Sequence, residues 1–210
     1  MKGFFITLEG PDGSGKTTQI KLITNFFQKR GMDFILTREP GGTPIGEEIR
    51  RLLLDKNNSD MEPEVEALLY AASRAQHVKQ VIIPALKNGL VVICDRFLDS
   101  SIVYQGISRG LGIKTIEKIN ELAVFGLKPD LTFVLDISPE IGIMRKKMNK
   151  SIDRIETEDL EFHRMVQNGY LMLAEREPDR IKVINAENSI EEVYKEIEAH
   201  LITLVDNMQK

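Results

Sequence analysis

Gly10-Pro11-Asp12-Gly13-Ser14-Gly15-Lys16-Thr17 fits the pattern G-x-x-x-x-G-K-[ST], and its flanks constrain the fold more than the string itself. The apolar run Phe4-Phe5-Ile6-Thr7-Leu8 precedes it and a helical pattern follows. Strand, glycine-rich loop and helix in that order make an anion cradle. The glycines let backbone N–H groups curl inward, and the helix N-terminus adds partial positive charge on the same side. Lys16 is placed to reach the β- and γ-phosphates of a nucleoside triphosphate, and the Thr17 hydroxyl to ligate Mg²⁺.

The rest of the chain repeats the theme. Short apolar runs at 4–8, 34–37, 91–94, 131–136 and 181–185 read as strands. Helical periodicity fills 16–30, 44–56, 62–88, 114–125, 139–149, 159–176 and 189–208. Ser189-Ile190-Glu191-Glu192 has the form of a capping box. Such alternation predicts an α/β fold, a parallel sheet with helices on both faces and ligands at the carboxyl ends of the strands.

No linker or composition shift divides the 210 residues, so a single domain over 1–210 is expected. A net charge of −4 gives no overall pull toward a nucleic-acid polymer or an anionic membrane. No run approaches the 18 apolar residues of a spanning helix, and no signal-peptide pattern opens the chain. Cys94 is the one cysteine, which fits a reducing compartment and a cytoplasmic location; it lies in a predicted strand and reads as a buried, inert thiol.

Val91-Val92-Ile93-Cys94-Asp95 is a strand ending in a carboxylate, the usual companion of a phosphate loop because Mg²⁺ needs an oxygen partner there. Arg96 follows at once and can hold a second phosphate, although an Asp–Arg surface pair is the plainer alternative. The loop Thr37-Arg38-Glu39-Pro40-Gly41-Gly42-Thr43 can carry two charges toward the cleft or serve as a connector. Tyr70 and Arg74 are four apart on one helical face. They suit stacking on a base and donating to its carbonyl, while an aromatic beside leucines also suits a core.

Arg145-Lys146-Lys147-Met148-Asn149-Lys150, near a helix end, is read as part of a basic lid at about 142–154, with a solvated cluster at a helix C-terminus as the alternative. His77, His163 and His200 form no ligand set. No general base stands out. A phosphate monoester needs none, because with a second pKa of ~6 it is already an oxyanion at neutral pH.

Gly10 to Thr18, the 37–43 loop, Tyr70-Ala71-Ala72-Ser73-Arg74-Ala75-Gln76-His77, Asp95-Arg96-Phe97, Tyr104-Gln105-Gly106, Lys128-Pro129-Asp130-Leu131 and Asp153-Arg154-Ile155-Glu156, taken in order, resemble bacterial thymidylate kinases. The resemblance runs from residue 3 to about 186. It implies a three-layer P-loop kinase fold with five parallel strands. It also implies transfer of the γ-phosphate of Mg·ATP to dTMP, with ATP and Mg²⁺ as cofactors, and a homodimer.

Carried over by position, Gly10, Pro11, Asp12, Gly13, Ser14, Gly15, Lys16, Thr17 and Thr18 would bind ATP, and Thr17 and Asp95 would hold the metal. Asp12 would meet the sugar 3′-hydroxyl and Arg96 the dTMP phosphate. Tyr70 would stack on thymine, Arg74 would donate to its O4, and Ser101 would lie near N3. Tyr104 would crowd the 2′ position, with Gln105 beside it and Glu39 near the metal and acceptor phosphate. Lys16, Arg96, Arg145 and Lys147 would be the catalytic cations. The family also carries a cis peptide in the Asp-Arg-aromatic motif, here expected at Arg96–Phe97.

Three residues depart from the family pattern: Tyr70 replaces Phe, Phe97 replaces Tyr, and Asn149 stands where many relatives have arginine. The lid cation must then be Arg145, Lys147 or Lys150. A GTPase switch would need N-K-x-D, and Asn149-Lys150-Ser151-Ile152-Asp153 is one residue too long.

Overall fold

A computed structural model describes residues 3–147 and 154–208. Five strands, β1 (Phe5–Glu9), β2 (Phe34–Arg38), β3 (Val91–Asp95), β4 (Leu131–Asp136) and β5 (Ile181–Asn185), form one all-parallel sheet in the order β2-β3-β1-β4-β5. Each expected strand is present. The phosphate loop leaves the middle strand, so helices on both faces surround it.

β1 is buried throughout, and its alternation assigns its side chains to two cores. Phe4, Ile6 and Leu8 join Ile20, Ile23, Phe26 and Phe27 of α1 (Lys16–Lys29) and Val193, Ile197, Leu201 and Val205 of α9 (Ile190–Met208). The three- and four-residue spacings put one stripe of each helix on the sheet. Phe5 faces the other way, with Val92, Cys94 and Phe97. A third cluster, around Val103, Tyr104, Val166 and Tyr170, lies under α8 (Leu160–Arg176).

α2 (Pro44–Leu54) begins where Thr43 Oγ1 accepts from Gly46 N at 2.9 Å, with Pro44 at the first helical position. The helix expected over 62–88 is one path in three parts: α3 (Pro63–His77), a π-helical stretch (Val78–Ile82) and α4 (Ile83–Lys87). Pro84 has no N–H to continue the regular ladder, and the widened turn stands just before it. A helical segment that the periodicity did not signal follows β3: α5 (Leu98–Ser101) runs into a π-helical stretch, Ile102–Ser108. α6 (Ile113–Val124) and α7 (Pro139–Lys147) complete the layers. The capping box at α9 is present, with Glu192 N donating to Ser189 Oγ at 3.3 Å and Ser189 N to Glu192 Oε2 at 3.0 Å.

The cis bond expected at Arg96–Phe97 is absent: the cis peptide among the described residues is Glu39–Pro40. Arg96 instead turns the chain with a left-handed backbone, φ 69°. Among the described residues no helix is long and apolar enough to cross a membrane.

Candidate active site

A cavity of about 440 Å³ opens at the carboxyl ends of β1, β2 and β3. Its walls bring together most of the residues singled out from sequence: Asp12, Gly13, Gly15, Lys16, Thr17 and Thr18 from the loop and the start of α1, Arg38 and Glu39 at the end of β2, Tyr70 and Arg74 from α3, Asp95 and Arg96 at the end of β3, Ser101 closing α5, Tyr104 and Gln105 beyond it, and Arg145 from α7.

The loop curls as its glycines allow. Gly13, at φ 80°, passes so close to α7 that a Cβ would lie 2.2 Å from Gly142 O. Lys16 folds back over the loop, its Nζ donating to Gly10 O and Pro11 O, both at 3.0 Å. Burial, and next the Arg96 guanidinium, hold Lys16 down to about 8, against the opposing pull of Asp12, Asp95 and Glu9.

Arg96 Nη2 donates to Asp12 Oδ1 at 3.0 Å, while Nη1 donates to Ser100 Oγ at 3.2 Å and Tyr170 OH at 3.1 Å. Those two hydroxyls in turn donate to Glu9 Oε2, at 2.5 and 3.1 Å, and Phe97 N donates to Glu9 Oε1 at 2.7 Å. Glu9 is fully buried at the end of β1. Burial first, and Asp99 second, push it up to about 7 despite these donors. The plain Asp95–Arg96 surface pair does not form, because the guanidinium is aimed across the cavity at the phosphate loop.

Asp95 Oδ1 is buried and has no hydrogen-bond partner. A carboxylate oxygen left so at a strand end, with the Thr17 hydroxyl on the same cavity, fits a magnesium ion, which is held through oxygen ligands. Among the described residues no group of three or more acidic, His or Cys side chains forms a protein-only metal cage.

Tyr70 and Arg74 both border the cavity, as their spacing suggests. Tyr70 is half-buried, whereas Arg74 is fully buried and held by four partners: Glu39, Asn120, Phe97 O and Ser101. Glu39 brackets it. One carboxylate oxygen takes Arg74 Nε at 2.7 Å and the other is 2.9 Å from His77 Nδ1, so both are engaged within the protein. Gln105 is also buried, its Nε2 donating to Glu66 Oε1 at 2.8 Å. Cys94 is buried with Sγ 3.0 Å from Arg96 O, and burial first raises its thiol well above the usual range.

Of the basic segment, Arg145 reaches the cavity wall and donates from Nη1 to Ala186 O at 3.1 Å. The side chain of Lys147, and Asn149 and Lys150 entirely, lie outside the described residues. Beyond that segment Arg154 is buried, donating to Leu53 O at 2.9 Å and to Glu66 Oε2 at 2.5 Å.

Several residues in and around the site carry little or no local signal in the sequence. Arg50 borders the cavity and donates to Pro40 O at 3.0 Å; from sequence it is one of two adjacent arginines on an amphipathic helix. Glu9, Ser100, Tyr170 and Asn120 have partners remote in sequence. The one local signal is a carboxylate ending an apolar strand just before the phosphate loop.

A phosphate loop on the middle strand of a parallel sheet, facing a second cationic wall across one cavity, defines a P-loop kinase. The model of the thymidylate kinase family matches residues 8–197, and this chain belongs to that family. A thymidylate kinase of Clostridium novyi (strain NT) is 50% identical over 95% of this chain and 98% of its own length. One of Symbiobacterium thermophilum is 51% identical over 92% of this chain and 90% of its own. The crystal structure of thymidylate kinase from Ehrlichia chaffeensis superposes with a TM-score of 0.78 at 34% identity, covering 96% of this chain and 99% of that one.

Proposed function

We propose that this chain transfers the γ-phosphate of ATP to dTMP, giving ADP and dTDP. The observation that carries the reading is one cavity shared by Lys16 of the phosphate loop, Arg96 after β3 and the Tyr70–Arg74 pair. Donor phosphate, acceptor phosphate and base each have a chemically suited wall.

Lys16 leaves its backbone carbonyls for the β- and γ-phosphates, which also lie against the loop N–H groups and the start of α1. Thr17 and Asp95 would hold Mg²⁺, which would supply neutralising positive charge to the phosphates. Arg96 and Arg50 hold the acceptor phosphate, and Asp12 receives the sugar 3′-hydroxyl. Tyr70 stacks on thymine, Arg74 donates to its O4, and Ser101 and Gln105 line the same edge. Tyr104 lies under the 2′ carbon.

An acceptor phosphate oxygen attacks the γ-phosphorus while the bond to the β,γ-bridging oxygen breaks, and ADP leaves with that electron pair. The acceptor is already deprotonated, so positioning and cations suffice. Arg145, Lys147 and Lys150 are the candidates for the closing cation.

The chain acts as a single domain, which the continuous sheet supports. It works as a homodimer: α3 and α6 pack together and leave Val65, Leu68, Leu122 and Phe125 exposed, apolar surface that a second copy would cover. A cytoplasmic location is supported by the single buried thiol.

Single-turnover transfer from γ-labelled ATP tests the reading. The parent chain is expected to move label into dTDP, and Lys16→Met to move none while keeping its thermal midpoint. Transfer at the parent's rate by Lys16→Met would contradict the role given to the loop.

A further inference from the structure

Arg74 is 1% exposed, yet it borders the cavity. A guanidinium carries five N–H donors in one plane and accepts nothing. Four of those donors are accounted for. Nε donates to Glu39 Oε2 at 2.7 Å, Nη2 donates to Phe97 O at 3.1 Å and Ser101 Oγ at 3.0 Å, and Nη1 donates to Asn120 Oδ1 at 2.5 Å. The fifth N–H is therefore on Nη1, the nitrogen that Asn120 holds, and in a rigid plane the first bond fixes the direction of the second donor.

Asn120 is itself fixed. It is 1% exposed, and its Nδ2 donates to Ile116 O, one turn back on α6, at 2.9 Å. Because arginine has no acceptor, the amide must turn its oxygen toward Nη1.

We infer that Asn120 is a positioning residue that sets base selection: it leaves Arg74 one N–H for the nucleotide, so the site takes a base with a carbonyl at that edge and rejects one with an amino group. The inference rests on the reading of Arg74 as donor to thymine O4. Cytosine would place an amino donor against that N–H, leaving both unpaired in a buried site. Without Asn120, Nη1 gains a second free hydrogen and its direction is no longer set.

The test measures KM for dTMP, Ki for dCMP as its competitor, KM for ATP and the thermal midpoint, in the parent and in Asn120→Ala, Asn120→Leu, Asn120→Asp and Arg74→Met. The preference, Ki for dCMP over KM for dTMP, is expected to fall about tenfold in Asn120→Ala and Asn120→Leu, the scale of a hydrogen bond to a charged group. KM for ATP stays unchanged. Asn120→Asp keeps an acceptor oxygen in place and retains the preference. If Asn120→Ala does not fold, Asn120→Leu fills the space and gives the same reading.

A lowered thermal midpoint with the preference intact would make Asn120 structural only and overturn the inference. Arg74→Met, which removes every donor, separates the two levels. Preference retained in Arg74→Met means that Arg74 does not read the base, and the underlying assignment fails. Preference lost in Arg74→Met but kept in both Asn120→Ala and Asn120→Leu overturns the role of Asn120 alone.

Discussion

Arg96 Nη2 and Asp12 Oδ1 are 3.0 Å apart although 84 residues separate them in the chain, so the turn after β3 and the phosphate loop close on each other across the cavity. Both act on Lys16, 4.0 Å from Asp12 Oδ1: Asp12 favours its charge and Arg96 opposes it. Burial first, and Arg96 second, bring the lysine down to about 8 before any nucleotide arrives.

With Lys16 held down to about 8, kcat/KM for ATP is expected to stay level to about pH 8 and fall above it, because the charged amine is the form that meets phosphate. The kcat limb lies at higher pH, since bound phosphate oxygens favour the protonated lysine. A pH–rate series checks this, and a kcat/KM for ATP that is flat through pH 10 contradicts it.

Glu9 makes a separate statement about stability. Its folded pKa of about 7 exceeds the ordinary 4.5, so the native state binds more protons than the unfolded state between those values. Stability from this group is present at low pH and lost as pH rises through that window, by at most about 3 kcal/mol. Glu9→Gln lacks the titration. Urea midpoints at about pH 5 and pH 8 should therefore shift in favour of Glu9→Gln at the higher pH; a difference between the proteins that does not change with pH rejects the assignment.

Tyr70→Ala should weaken dTMP binding by roughly 1–3 kcal/mol, the usual worth of a base stacked on an aromatic ring. Affinity for ATP should not follow it. Calorimetric titration with each nucleotide decides, and an unchanged dTMP affinity would make Tyr70 a packing residue.

The strands were legible because each is a short run rich in apolar residues, buried along β1 and along most of β3 and β4, and α1 and α9 because their stripes keep helical spacing. The segment 98–108 was not. Its second half is π-helical, which displaces side chains from the 3.6-residue pattern that a periodicity reading uses, and Ser100, Ser101, Gly106 and Ser108 blur the contrast.

In the site, the loop, Asp95, Arg96, Tyr70 and Arg74 were readable because their chemistry comes in local strings. Glu9 was not, because the hydroxyl of Tyr170, 161 residues on, only meets it in the fold. Nor was Asn120: an asparagine on α6 acquires meaning only when Arg74 Nη1 arrives opposite it. Glu39, which the resemblance places near the metal and the acceptor phosphate, borders the cavity, and its carboxylate also brackets Arg74 and His77, partners that no local string announces.

The measurement that bears most directly on the central claim is ADP release from Mg·ATP with dTMP, dUMP, the ribose form of TMP, dCMP, AMP and GMP offered separately as acceptors. The highest kcat/KM is expected with dTMP, with a loss when the 2′-hydroxyl is added and little or no turnover with dCMP, AMP and GMP. A higher kcat/KM with any other monophosphate, or no turnover with any of them, would contradict that claim.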